Sequence, residues 1–301
     1  MRAILQWIAA LASAVLALPA AAALSVFACE PEWGALVQEL GGDKVSVYNA
    51  TTALQDAHRI EARPSLIARI RSANLVICSG SELEIGWLPL LLTQSGNSRI
   101  QPGSPGFLEA SQYVIRLEIP KVVDRSLGDI HPGGNPHIHT DPRNIAKVAE
   151  VLTERLAQID SAGTETYKSL AASFRQRWQA AIQRWEQQGA SLKGVAIVVY
   201  HRDFSYFINW LGMREAGSLE PKPGIPPTPA HLADLVERMK RNPAKVIVVS
   251  PYNNSKAAEF LSQRTNIPVA MMPFTIGGTE RAKDLFGLFD DSIERLLKAV
   301  K

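Results

Sequence analysis

The chain alternates short, unbroken apolar runs with longer stretches whose apolar residues recur at helical spacing. Residues 24–29 (LSVFAC) predict a strand, and 32–40 a helix ended by Gly41-Gly42. Residues 44–50 predict a second strand, 64–72 a helix with Pro64 at its start, and 74–79 (NLVICS) a third strand. That third run is apolar throughout, as a strand buried on both faces must be. Strand, helix and strand in series imply a right-handed parallel α/β unit. The period then changes. Residues 144–159 and 161–188 keep helical spacing without a proline, the second with Tyr167, Phe174, Trp178 and Trp185. Fully helical, that second run spans roughly 42 Å. Beyond it the first pattern restarts. Strands are expected at 194–200 (GVAIVVY), 244–250 (AKVIVVS) and 269–273. Helices are expected at 204–211, 230–241, 256–264 and 282–299, with a proline-rich loop at 220–229.

The fold class is therefore α/β, with two lobes, each a parallel sheet flanked by helices, joined by one long rigid helix. The lobes fall at 24–160 and 191–301, and the linking helix at 161–190. Residues 1–23 follow another logic. Arg2 is the only charge, an apolar run follows, and Pro19 precedes a run of alanines. This is the order of a secretory signal peptide cleaved near Ala23. Its core is short for a bilayer span, and no basic stop-transfer run follows. Lipid attachment at Cys29 is the weaker alternative, because bulky Phe27 precedes it and LSVFA reads as a strand.

Composition narrows the function. With 46% hydrophobic and 20% charged residues the chain is an ordinary folded protein. Lys plus Arg is 32 against 29 Asp plus Glu, a net charge of +3, too even for a phosphate-binding surface, so no nucleic-acid partner is expected. Two cysteines exclude a four-thiolate zinc site. Cys29 and Cys78 end strands that would be neighbours, and both a disulfide and two buried thiols remain open.

Histidine placement carries the chemistry. His58 lies in the loop after the second strand, and His201 directly follows GVAIVVY. His131, His137 and His139 crowd the loop GDIHPGGNPHIHTDP, and His231 opens a helix. Ligands of parallel α/β sheets bind outside the carboxyl ends of the strands, so one cleft between the lobes is within reach of His58, His137 and His201. Imidazole nitrogen suits Zn2+ at about 2.0–2.1 Å, whereas Mn2+ or Mg2+ draws more carboxylates. Three histidines with an open position would also suit a secreted zinc-dependent hydrolase. Against that reading stands the lack of an HExxH helix and of an evident general base.

At these residues the chain resembles the ZnuA-like (cluster A-I) periplasmic solute-binding proteins of zinc and manganese ABC importers, and the zinc members above all. The resemblance rests on FACEPEWGALVQELGG, DAHRIEARPSLIARIRSANLVICSGSELE, GNPHIHTDPRN, YHRDFSYFINWLG and EPKPGIPPTPAHLADLV, in the family's order. It implies a non-enzymatic, periplasmic, monomeric protein that is soluble after signal cleavage. Such a protein captures Zn2+ in preference to Mn2+ and delivers it to an ABC permease in the inner membrane, with a periplasmic zinc chaperone as a further partner. The family histidines fall on His58, His137 and His201. The family's fourth ligand, an acidic residue after the last strand, is replaced here by Thr275 or Ile276. His139 becomes the substitute, with Glu280, Asp284 or a water behind it. His131 is read as a solvated loop residue, with metal capture as the alternative. Asp56, Asp141 and Asp203 are expected to hold the remaining imidazole nitrogens, and the long helix is expected to favour loop rearrangement over a wide clamshell motion.

Overall fold

The structure is a computed structural model that describes residues 23–124, 126 and 128–301. The expected signal peptide lies outside the described residues apart from Ala23. Strand β1 (Leu24–Ala28) leads into α1 (Pro31–Gly41), β2 (Val45–Asn49), α2 (Pro64–Arg71), β3 (Leu75–Cys78), α3 (Leu88–Ser95) and β4 (Phe107–Glu109). These strands form a wholly parallel sheet in the order β2-β1-β3-β4, with Val26 beside both Val47 and Leu75. Helix α1 packs closely on this sheet. A Cβ on Gly34 would stand 1.9 Å from Asn49 Oδ1, so a larger residue there would have to displace the Asn49 side chain.

Helices α4 (Pro142–Ile159) and α5 (Thr164–Gln188) follow. Then come β5 (Ala196–Val199), α6 (Ser205–Trp210), β6 (Arg214–Ser218), α7 (Pro229–Arg241), β7 (Val246–Val249), α8 (Lys256–Thr265), β8 (Val269–Met271) and α9 (Leu285–Ala299). The second sheet is again parallel, in the order β6-β5-β7-β8, so the two lobes share one winding. The central strands β3, β5 and β7 are buried at every residue, as their unbroken apolar runs require. Two of the four edge strands, β4 and β6, and helix α3 were not anticipated. FLE is three residues long and REAGS is polar and half exposed, the short or charged character by which edges avoid pairing with other chains.

Helix α5 lies between the sheets and binds to both lobes. Its buried stripe of Tyr167, Phe174, Trp178, Ala181 and Trp185 follows the helical repeat. The Trp178 indole donates to the carbonyl of Pro142 at 2.8 Å, tying α5 to the start of α4. The Trp185 indole donates to Asp290 Oδ1 at 2.6 Å, tying it to α9. One apolar core runs through both lobes, from Val26 and Leu75 to Val199, Val248 and Phe289. Cys29 and Cys78, left open by the sequence, form a disulfide between the ends of β1 and β3, with Cα atoms 4.8 Å apart. A buried half-cystine cannot carry a lipid.

Candidate metal centre

Three chain segments deliver imidazoles to the space where the carboxyl ends of the sheets face each other. His58 sits in a single helical turn after β2, which Asp56 caps by accepting from the His58 backbone N–H at 3.0 Å. His137 precedes another such turn at Ile138–Thr140, its own N–H held at 2.9 Å by the Asn135 side chain. His201 lies two residues beyond β5. One ring nitrogen from each of the three lies within 4.8 Å of the other two. The ring centroids are 5.3–5.5 Å apart and the planes are near perpendicular, so the nitrogens face a common point rather than stack.

The electrostatics prepare these nitrogens as donors. His58 Nδ1 donates to Asp56 Oδ1 at 2.7 Å and His201 Nδ1 donates to Glu220 Oε2 at 2.7 Å. Each ring is thereby fixed in one orientation with Nε2 turned away from the carboxylate, as ligating histidines are. His137 is buried, and neither of its ring nitrogens has a partner. A buried polar atom without a partner is costly, and a cation at this point would relieve it. Burial, followed by the neighbouring His58 and His201, holds the His137 pKa well below the ordinary imidazole value, so its ring is neutral. At His201 burial pulls the pKa down, but the hydrogen bond to Glu220 and the charge of Asp203 outweigh it and the net shift is upward. Burial opposes the shift at Asp56 too, yet the His58 contact leaves its pKa below the usual carboxylate value.

A cavity of about 190 Å³ adjoins the cluster, lined by Asp56, His58, His201 and Glu220 together with Tyr200 and Tyr252. The lobes are bridged around it. The Tyr206 hydroxyl donates to the Asn135 carbonyl at 2.7 Å, and the Arg59 guanidinium donates to the Gly224 carbonyl at 3.0 Å.

The structure does not bring His139 into this trio. Its Nδ1 lies 3.0 Å from Glu32 Oε1, an ion-pair distance off the line of a hydrogen bond, and its Nε2 lies 3.0 Å from the Phe274 carbonyl. Both partners belong to the interior between the lobes. The His139 ring thus faces Glu32 and Phe274, whereas that of His137 faces His58 and His201. The other substitutes are also elsewhere. Thr275 donates to the Glu32 carboxylate, Asp284 caps α9 through the Gly287 N–H, and Glu280 is exposed.

His131, expected to be solvated, is half buried with Nε2 3.2 Å from His58 Nε2 and the ring centroids 5.2 Å apart. Burial and the His58 charge bring its pKa down to about 4. Two nitrogens bound to one tetrahedral zinc stand about 3.3 Å apart, close to this spacing. Of the three expected second contacts, only Asp56 is correctly placed. Asp141 instead caps α4 and pairs with Arg143, and Asp203 accepts from Ser250 and Tyr252. The partner of His201 is Glu220, missed because it lies 19 residues away at the start of the proline-rich loop.

The family described as zinc-uptake complex component A, periplasmic (ZnuA), matches residues 26–299. Similar curated proteins include the metal ABC transporter substrate-binding lipoprotein ScbA of Streptococcus cristatus, 21% identical over 83% of this chain and 79% of that protein. The zinc-binding lipoprotein AdcA of Streptococcus pneumoniae is 21% identical over 88% of this chain, which spans only 52% of AdcA. The manganese ABC transporter substrate-binding lipoprotein PsaA of Streptococcus anginosus is 21% identical over 83% of this chain and 79% of its own. Among solved structures, a crystal structure of ZnuA superposes with a TM-score of 0.78 at 20% identity, covering 93% of this chain and all of that one. A manganese-bound periplasmic metal-binding protein of Candidatus Liberibacter asiaticus superposes at 0.74 and 16% identity, over 92% and 99% of the two chains. The chain thus belongs to the ZnuA family, the metal-binding substrate-binding proteins of zinc and manganese ABC transporters, which are not enzymes.

Proposed function

We propose that this protein captures Zn2+ at His58, His137 and His201, with His131 as the fourth donor, and delivers it to an ABC permease in the inner membrane after export to the periplasm. The observation that carries this reading is the convergence of three imidazoles on one point, with both ring nitrogens of His137 buried and unpartnered. An all-nitrogen donor set favours zinc over manganese, for which a carboxylate-richer shell is the better match. The nearby carboxylates Asp56 and Glu220 hold the outer nitrogens of their histidines, so they neutralise charge without entering the shell. The chain is read as three parts, the lobes 24–160 and 191–301 and the linking helix 161–190. A competition titration of purified protein tests the metal. Zn2+ is expected to displace Mn2+, and the reverse order overturns the assignment. Stimulation of the cognate permease's ATPase by loaded protein tests delivery.

Two further outcomes follow from the site. His131→Ala should weaken zinc binding by about tenfold or more while leaving one ion bound; unchanged affinity removes His131 from the shell. Affinity should also fall with acid. His137 is neutral at any pH near 7 because its pKa lies well below the usual value. His201, raised above that value, takes up a proton before His137 does as pH falls. Zinc must displace that proton, so affinity drops about tenfold per pH unit once below the His201 pKa. A flat profile between pH 8 and 5 contradicts imidazole ligation.

A further inference from the structure

A second group of potential ligands, sharing no residue with the histidine cluster, lies at the carboxyl end of the N-terminal sheet. Cys29 and Cys78 close β1 and β3, and Glu84 lies in the turns that follow β3. One ligand atom from each lies within 4.8 Å of the other two, and all three residues are buried. The Glu84 carboxylate accepts from the Gly80 N–H at 3.2 Å. It also faces Glu30, whose Oε1 is buried without a partner. Burial and mutual repulsion push Glu30 well above the usual carboxylate pKa, and burial raises Glu84 to about 7, so one carboxyl keeps a proton for the pair. A cleft of about 290 Å³, lined by Glu82, Glu84 and Glu109, leads from solvent to this carboxylate. None of these groups serves the histidine cluster.

We infer that reducing the Cys29–Cys78 disulfide creates a second cation site, two thiolates and the Glu84 carboxylate, for a thiophilic divalent ion such as zinc or cadmium. The reductant is a dithiol. One of its sulfurs attacks a cysteine sulfur and breaks the S–S bond, forming a mixed disulfide. Its second sulfur then displaces that cysteine. Two electrons pass to the protein, the reductant becomes a disulfide, and its two protons end on Cys29 and Cys78. The entering cation displaces both thiol protons and any proton on the Glu84 carboxyl.

The backbone keeps the thiols together once the bond is gone. Ala28 pairs with Ile77 in the parallel ladder, and the Cys29 N–H donates to the Ile77 carbonyl at 2.8 Å. Two thiolates on a tetrahedral zinc stand about 3.8 Å apart, within reach of a small side-chain rotation. The amino end of α1, which starts at Pro31, favours negative charge at Cys29.

The test uses the His137→Ala protein, so that the histidine cluster is disabled, reduced with dithiothreitol and freed of it under nitrogen. Titration with cadmium should give a thiolate-to-cadmium ultraviolet band that saturates at one ion per chain. The band should be absent from the oxidised protein and from a Cys29→Ser, Cys78→Ser double variant. Glu84→Gln should weaken binding by about tenfold or more. The inference is overturned if reduced protein that keeps its far-ultraviolet circular dichroism shows no band. It is equally overturned if reduction unfolds the chain and cadmium fails to restore it, or if Glu84→Gln binds as tightly as its parent.

Discussion

Replacing His137 with alanine should lower zinc affinity by more than about 100-fold, while the apo-protein stays folded. Losing an outer-shell partner of a metal ligand already costs about 10–100-fold, and His137 is proposed as a ligand itself. It also differs from His58 and His201 in lacking any other partner. Their Nδ1 atoms are tied to carboxylates, whereas both nitrogens of His137 are buried and bare. Removing its ring therefore takes away a donor and breaks no hydrogen bond of its side chain. Apo-state stability should change little, or rise, because an unsatisfied buried group disappears. Isothermal titration against a competing chelator, together with thermal melts with and without zinc, separates the two effects. A dissociation constant equal to that of the parent would remove the histidine cluster as the binding site. In the parent, zinc at 100 times its dissociation constant should add about 2.7 kcal/mol to the unfolding free energy, a gain the variant loses at the same zinc concentration.

Replacing His139 with alanine should do the opposite. Zinc affinity should stay within about threefold of the parent, and stability should fall by about 3–5 kcal/mol. Glu32 and His139 are both fully enclosed, at 0% and 1% exposure, so neither can turn to water when its partner goes. Burial raises the pKa of Glu32, but the charge of His139 and the hydroxyl of Thr275 reverse this and leave the carboxyl ionised. Alanine would strand that charge between the lobes. A chain of this size should lose on the order of 10 °C in melting temperature. A drop in affinity matching that of His137→Ala would return His139 to the metal shell.

Much of this was legible because the signals were local. The buried strands announced themselves as unbroken apolar runs, and α5 as a long stretch without proline. His58 and His201 were readable as neighbours in one cleft because parallel sheets place post-strand loops there. The pair at 137 and 139 was ambiguous, since spacing in the sequence cannot reveal the direction of a single helical turn. Only the surroundings, Glu32 and the Phe274 carbonyl on one side and open nitrogens on the other, tell the two rings apart. Glu220 and His131 were hidden for the reverse reason. Each meets its partner across a long separation, 19 and 73 residues, with no periodic pattern to announce it. The polar edge strand β6 carries no apolar run, because an edge that advertised itself would also invite foreign chains to pair.

The indole anchors of α5 have one more consequence. A spine pinned to α4 by Trp178 and to α9 by Trp185 leaves the halves of the molecule little freedom to swing. Full and empty forms should then share nearly the same silhouette, and small-angle scattering should scarcely tell them apart. A docking receptor could not gauge occupancy from overall shape. It would have to sense the few residues at the mouth of the crevice, where the loop bearing His131 and His137 tightens or slackens around its passenger.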